Sequence, residues 1–154
     1  YSPRLRLDLT VNILTNHAFN NRAIRVFGGQ QKRPNIHIQD VTDLYVKSLE
    51  WSDAHVGGKI YNAGYQNHRV IEIAEIVRSV VGRDVGIEMT PTDDNRSYHI
   101  SSEKIRQEIG FEPKFSIKDA VHDLAEAFRA DQVPNSMTDI RYFNIKTMQN
   151  LNLK

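Results

Sequence analysis

Apolar and polar residues alternate along the chain in two rhythms, one helical and one extended. Leu5, Leu9, Asn12, Ile13 and Ala18 share a helical face, which predicts a helix over about residues 5–21, stopped at Asn20-Asn21. The β-branched alternation of 23–27 then predicts a strand, and Gly28-Gly29 a turn. Residues 30–35 read as a loop and 36–38 as a short strand. Asp40 is the expected N-cap of a helix carrying Val41, Leu44, Tyr45, Ser48 and Leu49. After Gly57-Gly58, the run 59–63 reads as a buried strand ended by Gly64. Ile71, Ala74, Ile76, Val77, Val80 and Val81 line an amphipathic helix closed by Gly82. A strand at 85–89, a polar loop at 92–96 and a short helix at 102–109 capped by Gly110 come next. A last helix opens at Ile117 and runs through Val121, Leu124 and Phe128. The tail from 134 to 154 is weakly periodic and carries no assignment. Strands alternating with helices make this an α/β chain.

The 154 residues are 40% hydrophobic and 25% charged, enough for one globular core. Twenty basic and nineteen acidic side chains leave a formal charge of +1, so no overall field gathers nucleic acid or anionic membrane, and an anion site must be local. The absence of cysteine removes disulfides and thiolate zinc sites and suits a cytoplasmic setting. No apolar run has the length of a membrane span. The start at Tyr1 reads as part of something longer.

Two arginines are the leading candidates for chemistry. Arg33, between Gln31 and the predicted strand, carries a planar fork of donors suited to a diphosphate, although composition alone favours reading Lys32-Arg33 as a solvated basic loop. Arg96 lies in a loop between a strand and a helix, where ligand groups are often held; the alternative is a surface salt bridge to Asp93 or Asp94. Asn12 reads as an asparagine satisfied on its own helix face. The six histidines are scattered without the carboxylate pairing a zinc site needs. His37 approaches a ligand or faces solvent, and His99 is close enough to Arg96 to join a phosphate site or to remain a surface residue. Arg4 and Arg6 are weak candidates for nucleic acid, because Asp8 follows and no aromatic platform accompanies them.

In order along the chain, Tyr1-Ser2-Pro3, Gln31-Lys32-Arg33 before an apolar run ending in Asp40, Ile60-Tyr61-Asn62-Ala63-Gly64, Val70-Ile71-Glu72-Ile73-Ala74, and Arg96 four residues before Ile100 with Ile109-Gly110-Phe111-Glu112-Pro113 beyond form a series. The series resembles the extended short-chain dehydrogenase/reductase family, its NAD-dependent sugar-nucleotide epimerases, dehydratases and decarboxylases. Ser2 departs from the family's Tyr-Gly-Pro.

The resemblance implies a carboxy-terminal part of a Rossmann-type NAD(P)-binding fold plus a small α/β substrate-binding lobe. Residues 1–22 and 36–64 would complete the sheet, 23–35 and 70–130 would build the lobe, and 131–154 would pack as a tail. It implies Arg33 and Arg96 on the diphosphate of a nucleoside-diphosphate sugar, Gln31 near the nucleotide, Asn12 nearer the sugar and Pro3 near the nicotinamide of NAD or NADP. A homodimer is common in the family and is the oligomer implied for the full-length protein, with neither nucleic acid nor membrane as partner. No glycine-rich dinucleotide turn occurs in the chain. Tyr142 and Lys146 have the family's catalytic spacing but not its strand-turn-helix surroundings, so a packing role is expected and the chain alone is expected to be inactive. The rival is a stand-alone α/β interaction module, which should bury both faces of its sheet, whereas a part of a larger fold should leave an apolar face open.

Overall fold

A computed structural model of the chain describes residues 1–94 and 96–152. Asn95, in the loop expected at 92–96, and the last two residues of the tail lie outside the described residues. The elements run α1 (Thr10–Asn21), β1 (Ala23–Phe27), β2 (Lys32–Asn35), α2 (Ile38–Ser48), α3 (Asp53–Val56), β3 (Gln66–Arg69), α4 (Val70–Val81), β4 (Gly86–Thr90), α5 (Glu103–Ile109), α6 (Ile117–Arg129) and α7 (Asn144–Asn150), with a 3-10 turn at Ile140–Tyr142 before α7.

The core lies between one face of a two-stranded parallel sheet and three helices. β1 pairs with β4 from Ala23↔Gly86 to Phe27↔Thr90. Alternation along β1 turns Ile24 and Val26 inward and leaves Arg25 and Phe27 exposed. Leu14 and Ala18 of α1, Ile73, Ala74 and Val77 of α4, and Val121 of α6 close over that inner face. Each large aliphatic side chain sealed there contributes about 1.5–3 kcal/mol of transfer free energy. Gly29, at φ 94°, makes the turn after β1; a Cβ there would stand 2.8 Å from the Met89 side chain, so the turn requires glycine.

A second cluster joins Leu5 and Leu7 to Leu124, Ala127 and Val133, with Phe128, Tyr142 and Phe143 against it. It explains why the helix expected from residue 5 starts at Thr10. Leu5 and Leu7 are both buried at a spacing of two, an extended rhythm, and the Leu7 N–H bonds Tyr142 O at 2.8 Å. Of the two residues with catalytic spacing, Tyr142 packs against this cluster, and the Lys146 ammonium sits 4.3 Å from the Phe143 ring centre.

Four further expectations are corrected. Residues 36–38 and 59–63 are not strands; Ile38 opens α2, and 59–63 is irregular with Ile60 84% exposed. A strand needs a neighbour to receive its ladder, and no other strand lies beside either run among the described residues. Residues 32–35, expected as loop, form β2, because β3 supplies an antiparallel partner in the register Arg33↔His68. Asp40 does not cap α2. His37 does, its Nδ1 accepting from the Gln39 N–H at 3.1 Å. Asp40 is buried one turn in, and its two oxygens accept from the backbone N–H groups of Lys114 and Phe115 at 2.9 and 3.1 Å.

Candidate functional site

Between the N-terminal end of α1, the β2–α2 connection and the start of α6 lies a cleft of about 580 Å³. Arg4, Arg6 and Arg33 line it, with Asn12, Tyr65 and Phe115 among the other walls, and among the described residues no carboxylate does. In a chain of net charge +1 this is a local concentration of positive charge. The first turn of α1 adds to it. Leu9 provides no side-chain cap and no acidic residue follows in that turn, so the helix presents N–H groups and the positive end of its dipole beside the cleft.

Arg33 projects from β2 and is fixed on one side only. Its Nη1 donates to Lys32 O at 3.0 Å and to Arg96 O at 2.5 Å, its Nη2 lies 3.9 Å from Asp94, and the guanidinium stands 5.4 Å from the Tyr98 ring centre. A fork of five N–H donors so anchored keeps donors uncommitted. Segment 96–100 is itself pinned to the β2–β3 ribbon. Ser97 Oγ accepts from Lys32 N–H at 2.9 Å, and the Asn67 side chain both donates to Ile100 O and accepts from its N–H, at 2.9 and 3.0 Å.

The predicted site residues divide. Arg33 and Asn12 come together in the cleft; the Asn12 side chain is held by donating to Arg6 O at 2.7 Å. Arg96 supplies its carbonyl to Arg33, but its side chain is exposed and grips Asp94 through 2.7 and 2.8 Å bonds, the salt bridge that was its alternative reading. Arg96 holds the Asp94 carboxyl well below the usual carboxylate range through its side chain and then its N–H, with the Arg33 charge adding; Asp94 in turn raises Arg96 further above its already high value. Gln31 sits in the turn after β1, donating to Phe27 O at 2.6 Å, outside the cleft lining. Pro3 is exposed between Ser2 and Arg4, both of which line the cleft. His37 lines the cleft, stacked 4.8 Å from Phe115 and 3.4 Å from Asp123, while His99 is exposed elsewhere. Arg4 and Arg6, weighed in the sequence only for nucleic acid, belong to the same cleft, a placement no spacing along the chain could signal.

The residues present do not fit NAD or NADP. Dinucleotide pyrophosphate needs a glycine-rich turn delivering it to free N–H groups at a helix start. The Val70 and Ile71 N–H groups of α4 are bonded to Gln31 O and Gly29 O, Ser116 takes the Asp119 N–H of α6, and His37 caps α2. α1, α3, α5 and α7 lack a side-chain cap, but the residues before them are Leu9, Ser52, Ser102 and Phe143, not a glycine-rich turn. Among the described residues no group of three His, Cys, Asp or Glu side chains could hold a metal ion, and no helix is long and apolar enough to cross a membrane.

No family model matches the chain. It is 27% identical over 135 residues to UDP-glucuronic acid decarboxylase 1 of Arabidopsis thaliana, covering 84% of this chain and 30% of that one. To UDP-glucose 4-epimerase of Corynebacterium glutamicum it is 32% identical over 105 residues, 65% of this chain and 31% of the other. The chain thus spans about a third of the length of the curated relatives it matches. Among solved structures, UDP-glucose 4-epimerase of Thermotoga maritima with UDP-glucose superposes with a TM-score of 0.72 at 21% identity, covering 86% of this chain and 44% of that one. The dTDP-glucose 4,6-dehydratase of Bacillus anthracis in complex with NAD gives 0.65 at 20% identity, covering 86% and 42%. The chain's homologues are thus sugar-nucleotide decarboxylases and epimerases, and its fold is similar to that of sugar-nucleotide epimerases and dehydratases of the extended short-chain dehydrogenase/reductase family.

Proposed function

We propose that this chain is the substrate-recognising, carboxy-terminal portion of an NAD(P)-dependent enzyme acting on nucleoside-diphosphate sugars. The observation that carries the reading is the cleft lined by three arginines and, among the described residues, by no carboxylate. A diphosphate offers oxygens at the spacing a guanidinium fork matches, and Arg33 keeps donors free for it. The uncapped first turn of α1 provides further N–H groups, and Asn12 stands beside them, toward the sugar. Arg96 and Gln31 act at one remove in this state, Arg96 through the Arg33 contact and Gln31 through the turn that carries β2. For Arg96 to touch the diphosphate itself its side chain must leave Asp94.

The relatives named above act, by their names, on UDP-glucuronic acid and UDP-glucose, which makes a UDP-sugar the first substrate class to try. In this reading 1–22 and 36–64 complete the sheet of a nucleotide-binding domain, 23–35 and 70–130 form the substrate lobe, and 131–154 pack as a tail. Pro3 approaches the nicotinamide when the glycine-rich turn and the catalytic tyrosine and lysine are supplied by the rest of the enzyme; the chain alone is inactive. The open apolar face of α2 favours this over a stand-alone interaction module. The enzyme works in the cytoplasm, as a homodimer.

Calorimetric titration of the chain with UDP, dTDP, GDP and CDP tests the proposal. Saturable binding that disappears in Arg33→Ala supports it. Absence of binding by a folded sample, or binding indifferent to Arg33→Ala, removes the cleft from the function.

A further inference from the structure

His37 joins three elements through one ring. It ends the β2–α2 connection, is only 8% exposed, stacks 4.8 Å from Phe115 in the segment before α6, and places its Nε2 3.4 Å from Asp123 of α6. Its Nδ1 accepts from the Gln39 N–H at 3.1 Å and so caps α2.

A backbone N–H can only donate, so Nδ1 must present its lone pair, and the single proton of the neutral ring must sit on Nε2, toward Asp123. Both nitrogens are thus committed. A second proton can go only to Nδ1, where it displaces the Gln39 N–H. The charges around the ring oppose one another. Asp123 faces it from α6 and Asp119 of the same helix is near enough to feel its charge, and both favour the cation. Arg4, Arg6 and Arg33 share the cleft with the ring and disfavour it. Asp40, one turn into α2, is turned to the Lys114 and Phe115 N–H groups.

We infer that His37 is a proton-operated latch: the neutral ring ties the first turn of α2 to α6, and the protonated ring keeps Asp123 and releases α2. The cation stays with α6 because a charged donor bonds a carboxylate more strongly than a neutral one, while the Gln39 N–H loses its acceptor. The two Asp40 bonds confine the release to the first turn. Ile36, Ile38 and Val41 of that stretch line the cleft, so acid loosens the α2 wall of the site. The latch does not depend on what the cleft binds.

Nitrogen-resolved NMR of the His37 ring, with amide exchange, tests it across the range in which imidazoles change charge, about pH 8 to about pH 5. At the upper end His37 is expected as the Nε2–H tautomer. As the ring takes its second proton, protection of the Gln39 amide, corrected for the intrinsic pH dependence of exchange, is expected to fall by about tenfold, as loss of a cap provides, while α6 amides keep theirs. His37→Asn, which caps without titrating, is expected to hold Gln39 protected at both ends. An Nδ1–H tautomer at the upper end, a ring that stays neutral throughout, or a ring that takes the proton with Gln39 protection unchanged overturns the inference. So does a His37→Asn chain that loses Gln39 protection in acid as the unaltered chain does, because the sensitivity then lies in the carboxylates.

Discussion

Arg33 is held by two backbone carbonyls, and the carboxylate nearest it is engaged by Arg96. This division keeps Arg33 free for an external anion, and it yields an ordered pair of outcomes. Arg33→Ala should weaken nucleotide-diphosphate binding by about 1.5–3 kcal/mol, because a charge-assisted bond to a semi-buried anion is lost. Arg96→Ala should weaken it by a smaller, several-fold factor, since Asp94 would be released to pair with Arg33; Asp94→Asn placed on top of Arg96→Ala should recover the loss. Titration of the four variants decides it, and a full loss in Arg96→Ala that Asp94→Asn does not relieve would mean that Arg96 itself meets the ligand. The resemblance pointed to Arg33 and Asn12, which share the cleft. Composition alone did as well for Arg96, whose surface salt bridge to Asp94 is what the side chain makes. The charge of Arg4 was visible in the sequence, but its place was not, because residues 4, 12, 33 and 115 meet only after the chain has folded.

Elements stabilised by their own sequence were legible almost to the residue. α4, α5 and α6 start and stop within about one residue of the expectation, because their stripes, the capping pair Ser116 and Asp119, and Gly110 at φ 72° are all local signals. Elements that depend on a distant partner were not: β2 needs β3, and 36–38 and 59–63 lack the neighbours that would make them strands. Asp40 is the clearest non-local link, tying α2 to the loop before α6. Asp40→Ala strands two backbone N–H groups in a buried place and should cost about 2–4 kcal/mol in urea unfolding; a cost under about 0.5 kcal/mol would show that the loop finds other acceptors. The tail has its own dependence on carboxylates. Asp8 is held below its usual range, burial opposing but outweighed by the Arg6 side chain and the Asn144 N–H, and Asp139 is held down by the Arg141 side chain and N–H. A carboxylate lowered in the folded state stabilises it above its unfolded pKa, near 4, and loses that contribution as pH falls through the folded value. Below about pH 4, amides of residues 140–150 should therefore lose exchange protection before those of α1, α4 and α6. Simultaneous loss in both regions would place the acid sensitivity in the core.

At the scale of the whole molecule, the chain buries one side of its material and leaves the other open. α2 buries only Asp40, while Tyr45, Val46 and Leu49 are 70, 58 and 87% exposed, and Ile60 in the irregular 59–63 run is 84% exposed. Scattered apolar residues are ordinary on a surface, but these four are large, and in the proposed reading of the chain as part of a longer enzyme they would meet further sheet. A part of a larger fold is expected to show such an open apolar face, and a complete module is not. The expected behaviour separates folding from completeness. Val46→Lys with Leu49→Lys should leave the thermal midpoint of this chain within a few degrees, because neither side chain is sealed in the core, and should reduce its self-association in sedimentation. The same pair introduced into a longer protein that supplies the remaining sheet should destabilise it strongly, since two ammonium groups would enter an apolar interface, and amides 60–63, which have no acceptor among the described residues, should be protected there. If the lysine pair lowers the stability of the chain alone as much as that of the longer protein, the α2 face is already covered in this fold, and the inference that it awaits a sheet is wrong.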